Sequence, residues 1–264
     1  MRPSYENSVV ELSANWQIFY LPSYVAVFRE IEAEISLALD KMGFQECLFP
    51  KLIDDQQFRD LQACIPRFQT EWSDESLTTD RGPTSDPEER GLRLCHWQCE
   101  PFYLYLQRIR PTRSQRFYDR SGWSFRREVS LDRNRLLAFQ RLEVTFFLHR
   151  DEAQTVLESV LSAVWDAVAR RDISTRLVVQ EDEMRSTGEA LVKDLEGLDN
   201  DGRWIEIAGG HLHDRLLLDG LDIGVPPSFV TGCCGIGMSR ITNLVLSGVS
   251  PGGDRPPGGQ APKR

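Results

Sequence analysis

The spacing of apolar residues predicts three main helices. Between residues 22 and 42, apolar side chains recur every three or four positions with charged residues between them. This spacing is typical of an amphipathic helix, and Gly43 is suited to end it. The same spacing predicts helices at 152–171 and 238–247.

Shorter runs that are apolar throughout, or that alternate in polarity, predict β-strands. They lie at 44–49, 92–99, 123–129, 140–149, 175–180 and 203–208. About ten residues separate the third run from the fourth, which permits antiparallel pairing but is too short for a crossover between parallel strands. We therefore predict an α+β fold, in which an antiparallel β-sheet is flanked by helices.

Two segments have the composition of exposed chain. Residues 73–90 are polar and contain Pro and Gly, which predicts a surface loop. Residues 250–264 are rich in Pro and Gly and cannot supply a hydrophobic core, so we expect a disordered tail there. The expected organisation is one folded domain over 1–249, followed by this tail.

The overall composition is that of a folded protein without a membrane segment. Hydrophobic residues make up 41% of the chain and charged residues 27%. No apolar run approaches the roughly 20 residues that span a bilayer. The first residues also lack the apolar core of a secretion signal. We therefore expect a cytoplasmic protein.

The charge balance argues against general affinity for nucleic acid. The 31 Lys and Arg residues are outnumbered by 40 Asp and Glu residues, which gives a formal net charge of -9. Proteins that bind the phosphate backbone are usually basic. Nine arginines nevertheless fall within 108–135. They form either a solvated surface or a surface that binds phosphate or another anion.

The third and fourth predicted strands carry candidate nucleotide-binding residues. Alternation places Arg126 and Glu128 on one face of the first of these strands. On the other strand, Phe139, Arg141 and Glu143 share a face. Arginine can bind phosphate oxygens with two donors, and an aromatic ring beside an arginine suits a flat purine. The alternative is a surface ladder of salt bridges across a hairpin.

A glycine-rich segment precedes the last predicted helix. In TGCCGIGMSR (231–240), Gly232, Gly235 and Gly237 allow a tight turn with exposed amides, and Arg240 lies in the first turn of the helix. Such a helix start can bind an anion, although a simply packed helix start explains the pattern as well. The glycines do not follow the GxGxxG order, which argues against a dinucleotide-binding fold.

Cysteine is the remaining candidate for chemistry. The chain has six: Cys47, Cys64, Cys95, Cys99, Cys233 and Cys234. That number is too small for a disulfide scaffold of this length. Cys95 and Cys99 would share one face of the predicted strand at 92–99. Two thiolates and a carboxylate from separate elements can hold zinc with a fourth position open, whereas buried, inert cysteines are the alternative.

Taken in order, these segments resemble the three motifs of class II aminoacyl-tRNA synthetases. GFQECLFPKLI resembles motif 1, DRSGWSFRRE with RLLAFQRLE resembles motif 2, and GCCGIGMSR resembles motif 3. Together with CEPFYLYL, they are similar to the archaeal zinc-dependent seryl-tRNA synthetases and to their truncated relatives, the amino acid–[carrier protein] ligases. The resemblance covers residues 8–248 and implies the class II sheet flanked by helices.

The resemblance implies a zinc site and a choice of substrate. Its ligands would be Cys99, Glu143 and Cys233, with Cys95 or Cys234 as alternatives. The open position of the zinc would take the substrate amino group, so that small amino acids (glycine, alanine or serine) are selected and hydroxy acids are rejected.

The resemblance also implies a site for ATP and Mg²⁺. Arg126 would hold the α-phosphate, Glu128 the adenine amine and Arg240 the γ-phosphate, while Phe139 would stack on the ring. Glu206 in WIEIAGG would bind Mg²⁺ or ATP. Further nucleotide contacts are assigned to Arg135 and Leu136. Arg126 and Arg240 would be catalytic through positioning and charge stabilisation, giving aminoacyl-AMP and pyrophosphate without a protein nucleophile.

The acceptor implied by the resemblance is the phosphopantetheine thiol of an acyl or peptidyl carrier protein. The motifs begin within the first 50 residues, where the seryl synthetases carry a tRNA-binding domain. This and the acidic charge speak against tRNA. Motif 1 implies a homodimer. The alternatives are a transferase with a small-molecule or tRNA acceptor and an inactive paralogue that acts as a binding partner.

Overall fold

The computed structural model of the chain describes residues 4–13, 17–64, 92–95, 98–125, 134, 136 and 138–248. In chain order, its strands are β1 (Val9–Ser13), β2 (Gln17–Tyr20), β3 (Gln45–Glu46), β4 (Leu52–Asp54), β5 (Leu92–Leu94), β6 (Gln115–Phe125), β7 (Ala138–His149), β8 (Thr175–Val179), β9 (Leu191–Leu198), β10 (Trp204–Asp214) and β11 (Phe229–Ile236). The helices are α1 (Pro22–Lys41), α2 (Asp55–Cys64), α3 (Glu100–Ile109), α4 (Arg150–Ala169), α5 (Glu181–Thr187), α6 (Leu216–Gly220) and α7 (Met238–Ser247).

A seven-stranded sheet with the order β3-β6-β7-β11-β10-β9-β8 organises the described residues. The edge strand β3 pairs with β6 in parallel, and every other neighbouring pair in this sheet is antiparallel. Two small antiparallel pairs, β1-β2 and β4-β5, lie outside it. The predicted α+β arrangement is therefore confirmed.

The two faces of the sheet pack against different helices. Helices α1, α4 and α7 share one hydrophobic core with inward residues of the strands, such as Leu142, Phe146 and Ile236. On the opposite face, α2, α3 and α6 share a second core with Phe147 and Cys233. The candidate site lies on this second face.

The predicted helices are confirmed with small shifts at their ends. Helix α1 begins with Pro22, whose fixed φ suits a first helical position. It buries Phe28, Ile31 and Leu39 at helical spacing. After the helix, Gly43 has a φ of 80°, a left-handed conformation that glycine adopts without strain. Among the described residues, no helix is long and apolar enough to cross a bilayer.

Several strand predictions are wrong. Among the described residues, the run at 92–99 forms a strand only at Leu92–Leu94, and the run at 44–49 only at Gln45–Glu46. The glycine-rich segment predicted as a turn is instead β11, an inner strand bonded on both sides, and only Gly237 caps the helix. Strand β9 carries no clear alternation and was not predicted. The predicted loop at 73–90 and tail at 250–264 lie outside the described residues.

Candidate active site

A row of residues crosses the sheet on the face of the second core. The strand registers align Asp119, Glu143, Gly235, Gly209 and Asp194 on five neighbouring strands. Residues that lie directly opposite each other point to the same face. Because two of them are glycines, no side chain projects from the sheet itself between Glu143 and Asp194. We call the strip formed by Gly235 and Gly209 the glycine trench.

Charged side chains reach over this trench from both sides. A Cβ on Gly235 would lie 1.5 Å from Nη2 of Arg141, so this arginine occupies the space over the glycine. A Cβ on Gly209 would lie 3.4 Å from one oxygen each of Asp194 and Glu206. A guanidinium therefore borders one side of the trench and two carboxylates border the other.

Three groups that can bind a metal converge at the arginine side. Cys99 immediately precedes α3, Glu143 lies on β7 opposite Gly235, and Cys233 lies on β11 two residues before that glycine. One ligand atom from each lies within 4.8 Å of the others, and all three residues are buried. We call them the Cys99–Glu143–Cys233 cluster.

Burial opposes negative charge in this cluster. Desolvation raises the pKa of Glu143. Arg141 opposes the rise through an ion pair of 2.9 Å between its Nη2 and Oε2 of Glu143. The hydrogen bond with Cys99, together with burial, raises the pKa of the Cys233 thiol well above its usual value. A divalent cation would offset the charge of the thiolates and the carboxylate that burial disfavours.

The donor set fits zinc. Thiolate sulfur and carboxylate oxygen are zinc ligands, and three protein ligands leave the fourth position of a tetrahedral site open. Both carboxylate oxygens of Glu143 are buried and, within the described residues, neither accepts a hydrogen bond of regular geometry. The cluster can therefore hold a zinc ion that keeps one position for a further ligand.

The structure separates the two alternative cysteines from this cluster. Cys95 is buried in the same core, but its Sγ lies 3.6 Å from the carbonyl oxygen of Pro50 and is not one of the atoms that converge within 4.8 Å. Cys234 belongs to the core on the opposite face of the sheet. The expectation that Cys95 and Cys99 share a strand face is wrong, because β5 ends at Leu94 and Cys99 lies in the turn before α3.

Arg240 and Glu206 form a second charged group beside the trench. Arg240 lies in the first turn of α7, as predicted, and is 8% exposed. Its Nη1 donates to the carbonyl oxygen and to Oε2 of Glu206, at 2.8 and 3.2 Å, and its Nε donates to the carbonyl oxygen of Asn134 at 2.8 Å. The guanidinium is thus held in place, while the Glu206 side chain is 46% exposed.

Comparison with known proteins gives related sequences. No family model matches the chain. The Type-2 serine–tRNA ligase of Methanopyrus kandleri is 25% identical over 280 residues, which cover 88% of this chain and 53% of that protein. The corresponding ligase of Methanocaldococcus jannaschii is 34% identical over 134 residues, covering 42% of this chain and 26% of that protein.

Solved structures give the same fold. The M. kandleri seryl-tRNA synthetase in complex with A. aeolicus tRNASec matches 92% of this chain and 56% of that chain, with a TM-score of 0.73 and 22% identity. Giardia lamblia prolyl-tRNA synthetase in complex with prolyl-adenylate matches 91% of this chain and 50% of that chain, with a TM-score of 0.75 and 16% identity. The chain is class II synthetase-like.

This class II synthetase-like chain spans about half the length of the curated relatives it matches. Those relatives are named serine–tRNA ligases. The expectation that tRNA is not an acceptor therefore gains no support from them.

The remaining nucleotide-binding predictions are only partly within the described residues. Arg126, Glu128 and Arg135 lie outside them. Leu136 and Phe139 are described, and both are buried, with exposures of 4% and 6%. Phe139 lies on β7, opposite a residue of β6. Because side chains alternate along β7, Phe139 lies on the same strand face as Glu143.

Sequence reasoning missed several charged groups near the candidate site of this class II synthetase-like chain. Asp194 carries no motif signal, and burial together with the nearby Glu206 raises its pKa to about 6. His211 and His213 alternate along β10, a spacing that could have indicated a shared face. Glu189 reaches both histidines from the segment between α5 and β9.

Proposed function

We propose that this chain activates a small amino acid with ATP, giving aminoacyl-AMP and pyrophosphate. The observation that carries the proposal is the buried Cys99–Glu143–Cys233 cluster beside the glycine trench. The Arg240–Glu206 pair borders the same trench. A metal-binding set and a fixed guanidinium thus lie at one trench.

In this proposal the cluster holds zinc, whose open position, when the ion is bound, takes up the amino group of the substrate. Arg141 holds Glu143 in place through their ion pair. Arg141 covers the Gly235 end of the trench, so the body of the amino acid would lie over Gly209. Only a small side chain is expected to fit beside the charged groups that border it, which favours glycine, alanine or serine.

The nucleotide would lie towards Arg240 and Glu206. Arg240 would hold the γ-phosphate, and Glu206 would bind Mg²⁺ or ATP. The resemblance assigns the α-phosphate to Arg126 and the adenine to Glu128 and Phe139, with further contacts from Arg135 and Leu136. Catalysis then consists of positioning and charge stabilisation of an in-line displacement at the α-phosphate. No protein nucleophile is needed.

We propose a carrier-protein phosphopantetheine thiol as the acceptor. The net charge of -9 supports this choice, because phosphate-backbone binding favours basic proteins. Transfer to tRNA is the second candidate. It is favoured by the names of the related serine–tRNA ligases and by the relative solved with tRNASec.

Pyrophosphate exchange into ATP tests the activation step. We expect exchange with one small amino acid and none with the matching hydroxy acid. The absence of exchange with every amino acid contradicts the proposal. Labelled amino acid is then offered with either a holo carrier protein or a tRNA preparation, and the acceptor that retains the label identifies the second step.

Matched cysteine variants test the metal ligands. We expect Cys99→Ser and Cys233→Ser to lose zinc, measured as metal content per chain after dialysis. Cys95→Ser and Cys234→Ser remove equally buried thiols that lie outside the cluster. These two variants should retain zinc. Equal zinc content in all four variants would rule out the proposed ligand set.

We also propose a homodimer formed through residues 43–53. Leu48 and Leu52 in this segment are 75% and 49% exposed. Large exposed apolar side chains in one short segment are typical of a protein contact.

A further inference from the structure

We propose that His213 is a positioning residue that holds the thiolate of Cys233 in the orientation a bound metal requires. This role rests on the proposed zinc site. Nε2 of His213 lies 3.4 Å from Sγ of Cys233, and both residues are buried. A thiolate can only accept a hydrogen bond, so Nε2 is the donor when the metal is bound.

An irregularity in β10 brings the histidine to this position. The register between β10 and β11 shifts between Leu212 and Asp214, so that His213 is an extra residue without a partner in the ladder. Such bulges redirect a side chain and often occur beside functional sites. Asp214 follows with a φ of 53°, a conformation that non-glycine residues seldom adopt.

Glu189 fixes the other side of the imidazole. Its Oε1 lies 2.6 Å from Nδ1 of His213 and 3.2 Å from Nδ1 of His211. Its Oε2 accepts a hydrogen bond of 2.8 Å from Oγ1 of Thr187. Burial would raise the pKa of Glu189, but the hydrogen bonds with the two histidines hold it well below its usual range. The carboxylate therefore lies against the edge of the ring opposite Cys233.

The ring is also packed against the helix that follows Cys99. Tyr103 on α3 contacts His213 edge to face, with ring centroids 5.8 Å apart, and is 1% exposed. His213 thus contacts a carboxylate, an aromatic ring and a ligand sulfur. A chain of contacts links Thr187, Glu189 and His213 to Cys233, and such outer contacts orient metal ligands and tune their charge.

Glu189 also belongs to a second group with metal-binding side chains. Glu183, Glu189 and His211 each have a ligand atom within 4.8 Å of the others. In our proposal Glu189 instead positions the two histidines through its close contacts with their Nδ1 atoms. The number of metal ions per chain separates these two roles, since the proposal requires one.

The experiment compares metal binding by the wild-type chain with that of His213→Phe and Glu189→Gln. His213→Phe keeps an aromatic ring of similar shape but removes the donor. We expect it to weaken zinc binding by about tenfold to a hundredfold. The thiolate-to-metal absorption band of the Co²⁺-loaded protein should also shift. Glu189→Gln should have a smaller effect in the same direction.

His149→Asn is the matched control, because His149 is an exposed histidine on β7. This variant should bind zinc with the affinity of the wild type. Circular dichroism verifies folding. If His213→Phe does not fold, zinc affinity and the Co²⁺ spectrum are measured in Glu189→Gln and Thr187→Val instead. Both substitutions lie outside the strands of the sheet.

Three results overturn the inference. The first is unchanged zinc affinity and an unchanged Co²⁺ spectrum in every variant of Thr187, Glu189 and His213. The second is two metal ions per wild-type chain, and the third is a wild type that binds no metal. A wild type that exchanges pyrophosphate but binds no metal overturns the zinc site and this inference, while the activation proposal stands. A wild type that binds zinc without exchanging pyrophosphate contradicts the activation proposal. The positioning role of His213 is still tested by zinc binding in that case.

Discussion

Asp119 accepts hydrogen bonds from two separate parts of the chain although it is fully buried. Oδ2 accepts from the backbone N of Phe49 at 3.0 Å and from Nζ of Lys51. Oδ1 accepts from the N and Oγ of Ser121, at 2.7 and 2.6 Å. Burial would raise the pKa of Asp119, but these donors hold it below its usual value. The segment after β3 is thereby fixed to β6.

Asp119→Asn should lower the free energy of unfolding at pH 7 by about 1.5–3 kcal/mol, because hydrogen bonds to a charged group are worth roughly that much. Urea denaturation measures the change. Asp182→Asn is the control, since Asp182 is fully exposed. An equal change in both variants would contradict the role assigned to Asp119.

Gly235 is the position where a single methyl group should have the largest effect on activity. An alanine Cβ would collide with Nη2 of Arg141 at 1.5 Å and displace it from Glu143. We expect Gly235→Ala to reduce pyrophosphate exchange at least about tenfold, since misplacing a group in such a site costs that much or more. Gly248→Ala, where the nearest atom would lie 3.4 Å away, should retain exchange.

At the scale of elements, ion pairs join α1 to the end of α4. Nη1 of Arg171 donates to Oε2 of Glu34 at 2.7 Å, and its Nη2 donates to Oε1 of Glu30 at 2.9 Å. Arg170 also pairs with Glu34. Desolvation raises the pKa of Glu34, but both arginines outweigh it, so the net shift is downward.

We expect Glu34→Gln to lower the free energy of unfolding by about 0.5–1 kcal/mol at pH 7, the range for partly exposed ion pairs. The folded-state pKa lies below the ordinary value of 4.5, so this contribution is present above that pH and is lost as the pH falls through the folded-state value. The stability difference between the wild type and the variant should therefore shrink in acid. Glu30→Gln, at a more exposed position, should lower the free energy of unfolding at pH 7 by less.

The elements that could be predicted are those whose pattern is local. Helix α7 has apolar residues at helical spacing and was predicted with its exact ends. Strand β11 was missed because its glycines and cysteines do not alternate in polarity, and its extended form depends on bonding to β7 and β10. Helix α3 was missed although Pro101 in its first turn is a start signal.

At the scale of the whole molecule, the proposed dimer can be tested by a substitution in its contact segment, residues 43–53. Leu48→Glu places a charge in the exposed segment after β3 and should weaken dimerisation at least about tenfold, since charge burial at a contact is costly. Sedimentation equilibrium measures the dissociation constant. Leu177→Glu lies on β8 at the opposite edge of the sheet and should not change it. A monomeric wild type would contradict the dimer itself.

The candidate site could be predicted only where a motif resembles a family. That resemblance named Cys99, Glu143 and Cys233, which the fold brings within 4.8 Å. The cysteines and their spacing alone favoured buried, inert thiols over a metal site. The spacing of His211 and His213 could have indicated a shared face, but the contact of His213 with Cys233 depends on a register shift between two strands that the sequence does not reveal.

The position of β11 has a consequence for synthesis of the chain. It is the last strand that the structure describes, yet it lies between β7 and β10. Until it emerges from the ribosome, the sheet exists as two halves, each with an unsatisfied edge that invites pairing with other chains. A nascent chain that stops before Phe229 should therefore depend on chaperones far more than the finished protein does.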